Sequence, residues 1–423
     1  MKSIAKKRKP KRKVNAVKIP YNTYAIWISV IFLTAFGLMM IYSASGIQFV
    51  NSEKYTSMYL LKKQVRFVLA GFAVCFVCQF INYSVLYKTS KFIYAVGIVS
   101  ILLLKPFGVS VNGATRWLNI AGIQFQVAEL VKICVIIMLA YMVQHYSKYL
   151  NKIGLVIRMW MLGGAAAALL LIISNDLSSS IVVLGITFCI TFLYTKSEKL
   201  HIMIAGSGLA IIGLYVWNLK ENLPTAEELE TMSFRVARIA AWLDPERYAS
   251  SHGYQTLQSL YAIGSSNFIG KGLGKSMQKI SSIPESQNDM IFSIICEELG
   301  IFGAFVLLFL LAYLCYYLCK VIISTKNLFG SVLITGVLVH IALQSFINIA
   351  VNINLIPNTG IGLPFISYGG TAIFCQLAEI AMVLSVGRIA KGCKSINLYR
   401  ILKKDLKRKQ AKKRRRVLKK SIS

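Results

Sequence analysis

Residues 283–318 read IPESQNDMIFSIICEELGIFGAFVLLFLLAYLCYYL, a stretch in which polar sequence gives way to a long apolar run. A helix needs about 20 predominantly apolar residues to cross the hydrocarbon core of a bilayer, so a span is expected over 287–318. Pro284 suits the first helical turn, where its missing N–H would be unpaired anyway. Asp289 then follows Glu285 by one turn, which places both carboxylates on one helix face at the mouth of the span. Carboxylates that enter a bilayer cost about 2.5–3.5 kcal/mol each at the helix centre, and they usually mark function. The alternative is that they only favour the positive end of the helix.

Working outward, the same reading applies to most of the chain. Of 423 residues, 56% are hydrophobic, and further apolar runs lie at about 24–42, 66–85, 91–108, 127–145, 156–174, 176–195, 201–219, 328–353 and 365–388. The expected fold is an all-α integral membrane protein with ten transmembrane helices. Charge sets its orientation. Residues 1–23 carry nine Lys or Arg and no acid, and residues 388–423 carry sixteen against Asp405 alone. The tails thus hold +9 and +15 of a net charge of +32. Lys and Arg accumulate on cytoplasmic loops, and Lys88, Lys91, Lys148, Lys152, Arg158, Lys196, Lys199, Lys320 and Lys326 all fall on the tail side of a ten-span count. Both termini are therefore expected in the cytoplasm. The chain divides into a basic tail (1–23), a membrane domain (24–390) and a second basic tail (391–423). A large extracellular loop, 220–286, separates spans 7 and 8.

Several other chemistries are disfavoured. Basic runs can bind nucleic acid, but beside membrane spans they serve orientation and anionic lipid. The nine cysteines lie within spans or on the cytoplasmic side, so no disulfide framework is implied, and Cys75-x-x-Cys78 reads as core packing. Residues 270–276, GKGLGKS, fall short of a phosphate-binding loop, because Ile269 stands where the Walker pattern needs glycine.

The unusual polar sequence lies in the outer connections. Asn112 to Trp117 is turn-rich and leads to the span that opens Gln126-Val127-Ala128-Glu129. Glu129 and Lys132 are neighbours on one face, either as a structural ion pair or as part of a site. Asp176 occupies the tight turn between spans 5 and 6. Phe234–Leu243 reads as an amphipathic helix whose Arg235 and Arg238 are expected at the membrane interface. Glu297 and Glu298 lie deeper in span 8. Residues 354–370, with two prolines and four glycines, suggest a broken helix start, which survives at membrane depth only when buried in protein or lining a cavity.

Together these segments resemble the SEDS family (shape, elongation, division and sporulation) of FtsW, RodA and SpoVE over about residues 24–390. The resemblance rests on Tyr42 to Ser45, Asn112 to Trp117, Glu129 with Lys132, Gly253-Tyr254-Gln255, Pro284-Glu285 with Asp289, Glu297 to Gly300, and Leu363 to Gly370. The last of these is closest in pattern to FtsW and SpoVE. The chain departs from the usual family forms at Asn175 to Ser178, at Asn288 and at Val127-Ala128. The resemblance implies a bacterial plasma-membrane enzyme that polymerises lipid II into glycan strands by inverting transfer. Asp289 would be the catalytic base, and Arg116, Glu129, Lys132, Glu285, Ser367 and Tyr368 would bind substrate. A divalent cation, magnesium or manganese, could assist, and no other cofactor is expected. The implied partners are a class B penicillin-binding protein transpeptidase and proteins of the division or elongation complex, with no nucleic acid. Lipid II flipping, or scaffolding of such a complex, are the competing functions.

Overall fold

The structure is a computed structural model that describes residues 23–45, 57–111, 114–120, 122–277 and 287–390. Ten long helices form the body: α1 Thr23–Ala44, α2 Ser57–Cys78, α3 Ser84–Phe107, α4 Val127–His145, α5 Ile153–Ser174, α6 Leu177–Tyr194 and α7 Glu198–Glu221, then, after the short α8 Ala226–Thr231, α9 Phe234–Leu243 and α10 Tyr254–Gly264, α11 Ile291–Ser324, α12 Leu328–Asn352 and α13 Gly370–Ala390. Among the described residues, nine of these helices are long and apolar enough to cross a membrane. The chain is a multi-pass membrane protein.

The tenth long helix, α2, carries Lys62, Lys63 and Arg66 in its first half. Those cations made the sequence read as a span beginning near 66, whereas the helix begins at Ser57. Their tolerance has a local cause, described below: they face a polar cavity.

Helices α4 and α12 form the centre. Both are buried over most of their circumference, and they pack against each other, α6 and α13. Helix α13 packs closely on α2, and α1 packs on α11. Helix α7 stands at the edge, with His201 its only buried residue.

Two features differ from the all-helical expectation. Residues 108–126 form a three-stranded antiparallel sheet, β1 Gly108–Val111, β2 Ala114–Ile120 and β3 Ile123–Gln126, in the order β1-β2-β3. Alternation in so short a segment was hidden among its turn residues. Helix α11 also begins at Ile291, so Asp289 lies in a turn before the helix rather than on its face. Glu285, its expected companion on that face, lies outside the described residues, as do residues 1–22 of the first basic tail and the whole of the second.

The connection between α7 and α11 is ordered by small helices. Thr225 and Glu228 form a reciprocal capping box at the start of α8, which satisfies two otherwise unpaired N–H groups. Tyr248 is buried against Ala237, Ala240, Ala241 and Leu229, and its hydroxyl donates to the Pro224 carbonyl at 2.6 Å. This unit and α10 dock on the end of α12 and the segment after it. Trp242 Nε1 donates to Asn354 O at 3.0 Å, Arg238 Nη1 to Asn358 O at 3.1 Å and Ser259 Oγ to Asn352 O at 2.9 Å.

Glu297 and Glu298, fully buried, fasten the glycine-rich stretch to the bundle. Glu297 accepts from Lys271 Nζ at 2.7 Å and Met277 N at 3.0 Å, and also from Ser276 Oγ. Glu298 accepts from Ser43 Oγ at 2.5 Å. Gly300 adopts φ 68° inside α11, where an added Cβ would lie 2.4 Å from Gly270 N. That positive φ and close approach explain the glycine: the residues around 270 are a structural clasp.

Candidate active site

A cavity of about 1170 Å³ opens at the end of the bundle where α1 finishes and α2, α4, α6, α11 and α13 begin. Its walls bring together Arg116, Glu129, Lys132, Asp289, Ser367 and Tyr368. Six of the seven expected site residues therefore share one space, across more than 250 residues of sequence. Residues 360–363 and 367–373 complete the wall, as a broken helix start lining a cavity requires.

Asp289 is held from behind by α12. Its carbonyl accepts from Asn348 Nδ2 at 2.8 Å and Asn352 Nδ2 at 2.9 Å, while Asn352 Oδ1 accepts from Ser293 N at 3.1 Å. These amides fix the turn, and the carboxylate faces the cavity. Gln255 Nε2 lies 3.4 Å from Asp289 Oδ1. Asp289 Oδ2 and Arg238 Nη1 both approach the open side of Gly360, each 3.9 Å from where a Cβ would stand.

Arg238 thus turns inward from α9 and lines the cavity, contrary to its expected place at the membrane interface. Its guanidinium stacks 4.4 Å over the Phe234 ring. Burial draws its pKa down, and the negative charge of Asp289 opposes that shift. Arg235 remains exposed.

Arg116 comes from β2, with Nε 3.9 Å from Asp176 Oδ2. That nitrogen is buried and has no hydrogen-bond partner among the described residues. Asp176 in turn caps α6, accepting from Ser179 N at 3.1 Å and Ser179 Oγ at 2.8 Å. Arg116, Asp176, Arg238 and Asp289 make one charge group. Arg116 retains an unspent donor within it.

The Glu129–Lys132 pair is buried, with Lys132 only 2% exposed. Lys132 Nζ donates to Glu129 Oε1 at 2.7 Å and to Gln344 Oε1 at 2.9 Å. Gln344 Nε2 donates to Gly362 O at 2.9 Å, which fixes the orientation of its amide. Gln344 Oε1 also faces His340 Nε2 at 2.8 Å, and His340 Nδ1 lies 2.9 Å from both oxygens of Glu379. Both ring nitrogens of His340 thus lie within hydrogen-bond reach of side-chain oxygens. Glu129, Lys132, Gln344, His340 and Glu379 thus form one continuous buried polar chain.

Ser367 and Tyr368 line the cavity, but Ser367 Oγ is occupied by Leu363 N at 2.6 Å and Tyr368 N donates to Gln287 O at 2.9 Å. Both shape the wall that faces Asp289. The sequence reading passed over His340, Gln344, Asn348 and Asn352. Their signal was present as four polar residues at intervals of four inside one apolar run, which places them on one helix face. It also passed over the cavity role of Arg238 and of the α2 cations.

Among the described residues no three His, Cys, Asp or Glu side chains come together as a metal site. Magnesium commonly needs only one or two protein carboxylates, the rest of its shell being substrate phosphate and water. Asp176 and Asp289 are cavity carboxylates of that kind.

A helical membrane protein with a polar cavity at one end of its bundle is the class this fold defines. Residues 23–392 match the family model for the cell cycle proteins FtsW, RodA and SpoVE, and the chain belongs to that family. The probable peptidoglycan glycosyltransferase FtsW of Bacillus subtilis (strain 168) is 31% identical over 398 residues, covering 92% of this chain and 96% of its own. The protein of the same description from Thioalkalivibrio sulfidiphilus is 33% identical over 368 residues, covering 85% and 88%. Among solved structures, a chain from a study of polymerization and crosslinking by a peptidoglycan synthase complex superposes with TM-score 0.68 at 23% identity, covering 88% of this chain and 99% of its own. The rod shape determining protein RodA of Thermus thermophilus superposes with TM-score 0.60 at 22% identity, covering 88% and 98%.

Proposed function

We infer that this chain is a peptidoglycan glycosyltransferase of the bacterial plasma membrane that polymerises lipid II. The names of its relatives support the activity, and one observation carries the mechanism: Asp289 faces the same cavity as Arg116 and Arg238. In the transfer, a sugar hydroxyl of the acceptor lipid attacks the anomeric carbon of the donor strand. The carbon–oxygen bond to the donor's lipid diphosphate breaks with inversion, and the hydroxyl proton passes to the Asp289 carboxylate. A base placed opposite the leaving group is the arrangement of inverting sugar chemistry.

A diphosphate leaves as an anion, so it needs positive charge more than a proton. Arg116 and Arg238 supply it beside the base, and Lys132, steadied by Glu129 and Gln344, supplies a third charge. A divalent cation held by Asp176 or Asp289 together with diphosphate oxygens would add Lewis-acid stabilisation of the same anion. Gln255, Asn348 and Asn352 hold Asp289 in place.

The reading places both termini in the cytoplasm, takes α2 as a tenth span and puts the cavity mouth on the extracellular side, where lipid-linked sugars are consumed. A class B penicillin-binding protein is the proposed partner, by analogy with the synthase complex. Purified protein, with that partner, should make long glycan from lipid II already accessible in detergent, where flipping is unnecessary. Absence of polymer alongside lipid II transport in liposomes would replace the reading with a flippase.

A further inference from the structure

The cavity holds more positive charge than the transfer centre uses. Its walls carry six cations, Lys62, Lys63, Arg66, Arg116, Lys132 and Arg238, against three carboxylates, Glu129, Asp176 and Asp289. Each of the three carboxylates stands beside a cation from outside α2. The surplus is the set on α2, and among the described residues none of Lys62, Lys63 and Arg66 pairs with a carboxylate.

These cations form a surface. Tyr59, Lys62, Lys63, Arg66, Phe67 and Ala70 all line the cavity, and intervals of three and four place them on one helix face. The wall is fixed from behind: Gln64 Oε1 accepts from Gly369 N at 3.2 Å, and the Phe67 ring lies against Gly370. It belongs to the α13 side of the cavity, whereas Asp289 and Arg238 lie beside Gly360. Membrane orientation does not account for it. Lys and Arg collect at cytoplasmic ends, and this set lies at the end of the bundle opposite the one where α1 begins and α13 finishes.

Glycan polymerisation, the activity proposed above and the reading on which this step rests, brings two lipid diphosphates to one site. The donor's diphosphate is bonded to the carbon under attack, so it lies within the transfer centre, across that carbon from the base. The acceptor's diphosphate is at the far end of its sugars from the attacking hydroxyl, so it lies at least a sugar unit away. We propose that the basic face of α2 binds the diphosphate of the acceptor lipid, while Arg116 and Arg238 hold the diphosphate that leaves. The aromatic and apolar residues of that face, Tyr59, Phe67 and Ala70, flank the headgroup.

The test uses the full chain in detergent with its transpeptidase partner, comparing wild type, Arg66→Gln and the triple variant Lys62→Gln/Lys63→Gln/Arg66→Gln. Loss of a charge-assisted phosphate contact weakens binding by roughly tenfold or more. The KM for lipid II should therefore rise about tenfold in Arg66→Gln, and further in the triple variant, with kcat within about threefold. Lys62→Arg/Lys63→Arg, which keeps the charge, should stay near wild type. Native mass spectrometry with undecaprenyl diphosphate should count two bound lipids on wild type and one on the triple variant. An unchanged KM with an unchanged lipid count would overturn the assignment. So would displacement of the second lipid by equimolar phosphatidylglycerol, which would make α2 a phospholipid contact. If the triple variant does not fold, Arg66→Gln decides by the same two readouts. Wild type that makes no polymer removes the activity reading, and the lipid count still decides the site.

Discussion

Replacing Lys132 with methionine separates the two roles this side chain could have. Lys132 is buried, and its ammonium meets Glu129 Oε1 at 2.7 Å and Gln344 Oε1 at 2.9 Å. Methionine fills much of the space but leaves Glu129 charged and buried, with Oε2 already without a hydrogen-bond partner among the described residues. Breaking a buried pair in this way costs about 3–5 kcal/mol, because the remaining charge has lost its compensation. Replacing both partners by neutral groups of similar volume is often close to neutral. The unfolding free energy of Lys132→Met, measured by denaturing-detergent titration, should thus fall by about 3–5 kcal/mol, and the double variant Glu129→Gln/Lys132→Met should recover most of that. Activity should not follow stability. If Lys132 stabilises the departing diphosphate, the double variant stays at least about a hundredfold below wild type in lipid II polymerisation. A double variant that regains both stability and polymerisation would refute the catalytic role and leave a structural ion pair. No loss of stability in Lys132→Met would refute the burial argument itself.

Other outcomes follow from the same geometry. Asn352→Ala removes one of two donors to the Asp289 carbonyl and the acceptor for Ser293 N; it should cost about 1–3 kcal/mol and lower kcat more than it raises KM for lipid II. Arg238→Gln removes charge beside the base and the donor to Asn358 O; it should lower kcat by about a hundredfold or more, well beyond what a loss of about 1–3 kcal/mol in unfolding free energy accounts for. Gly300→Ala puts a Cβ 2.4 Å from Gly270 N at a positive φ, so the 265–277 clasp should open and limited proteolysis there should accelerate. Chelation should slow polymerisation and added magnesium restore it, if a cation shared between Asp176 or Asp289 and the diphosphate carries part of the charge; an unchanged rate in chelator sets that proposal aside.

The parts of this protein legible from its sequence were those with a strong local signal. Apolar runs of span length gave nearly every long helix, because a bilayer rewards length and hydrophobicity without regard to partners. Helix α2 was the exception: Lys62, Lys63 and Arg66 interrupt its apolar run, and only the folded bundle shows that a cavity receives them. The resemblance named six residues that the fold brings to one cavity, but not the way Asp289 is held. Asn348 and Asn352 act from α12 on a backbone carbonyl, a contact that helix periodicity can hint at and only tertiary structure can assign. Arg238 was misplaced for a related reason. An amphipathic helix ending in a turn looks the same whether its arginines meet lipid headgroups or a buried carboxylate.

The measurement that bears most directly on the central claim is lipid II polymerisation by Asp289→Asn beside wild type, each co-purified with the transpeptidase partner. The substitution keeps the size of the side chain and removes its basicity. The account predicts long glycan from wild type, and from the variant a rate lower by roughly 10²–10⁴-fold, with undecaprenyl diphosphate still bound. Equal product from both would contradict it and place the base elsewhere in the cavity.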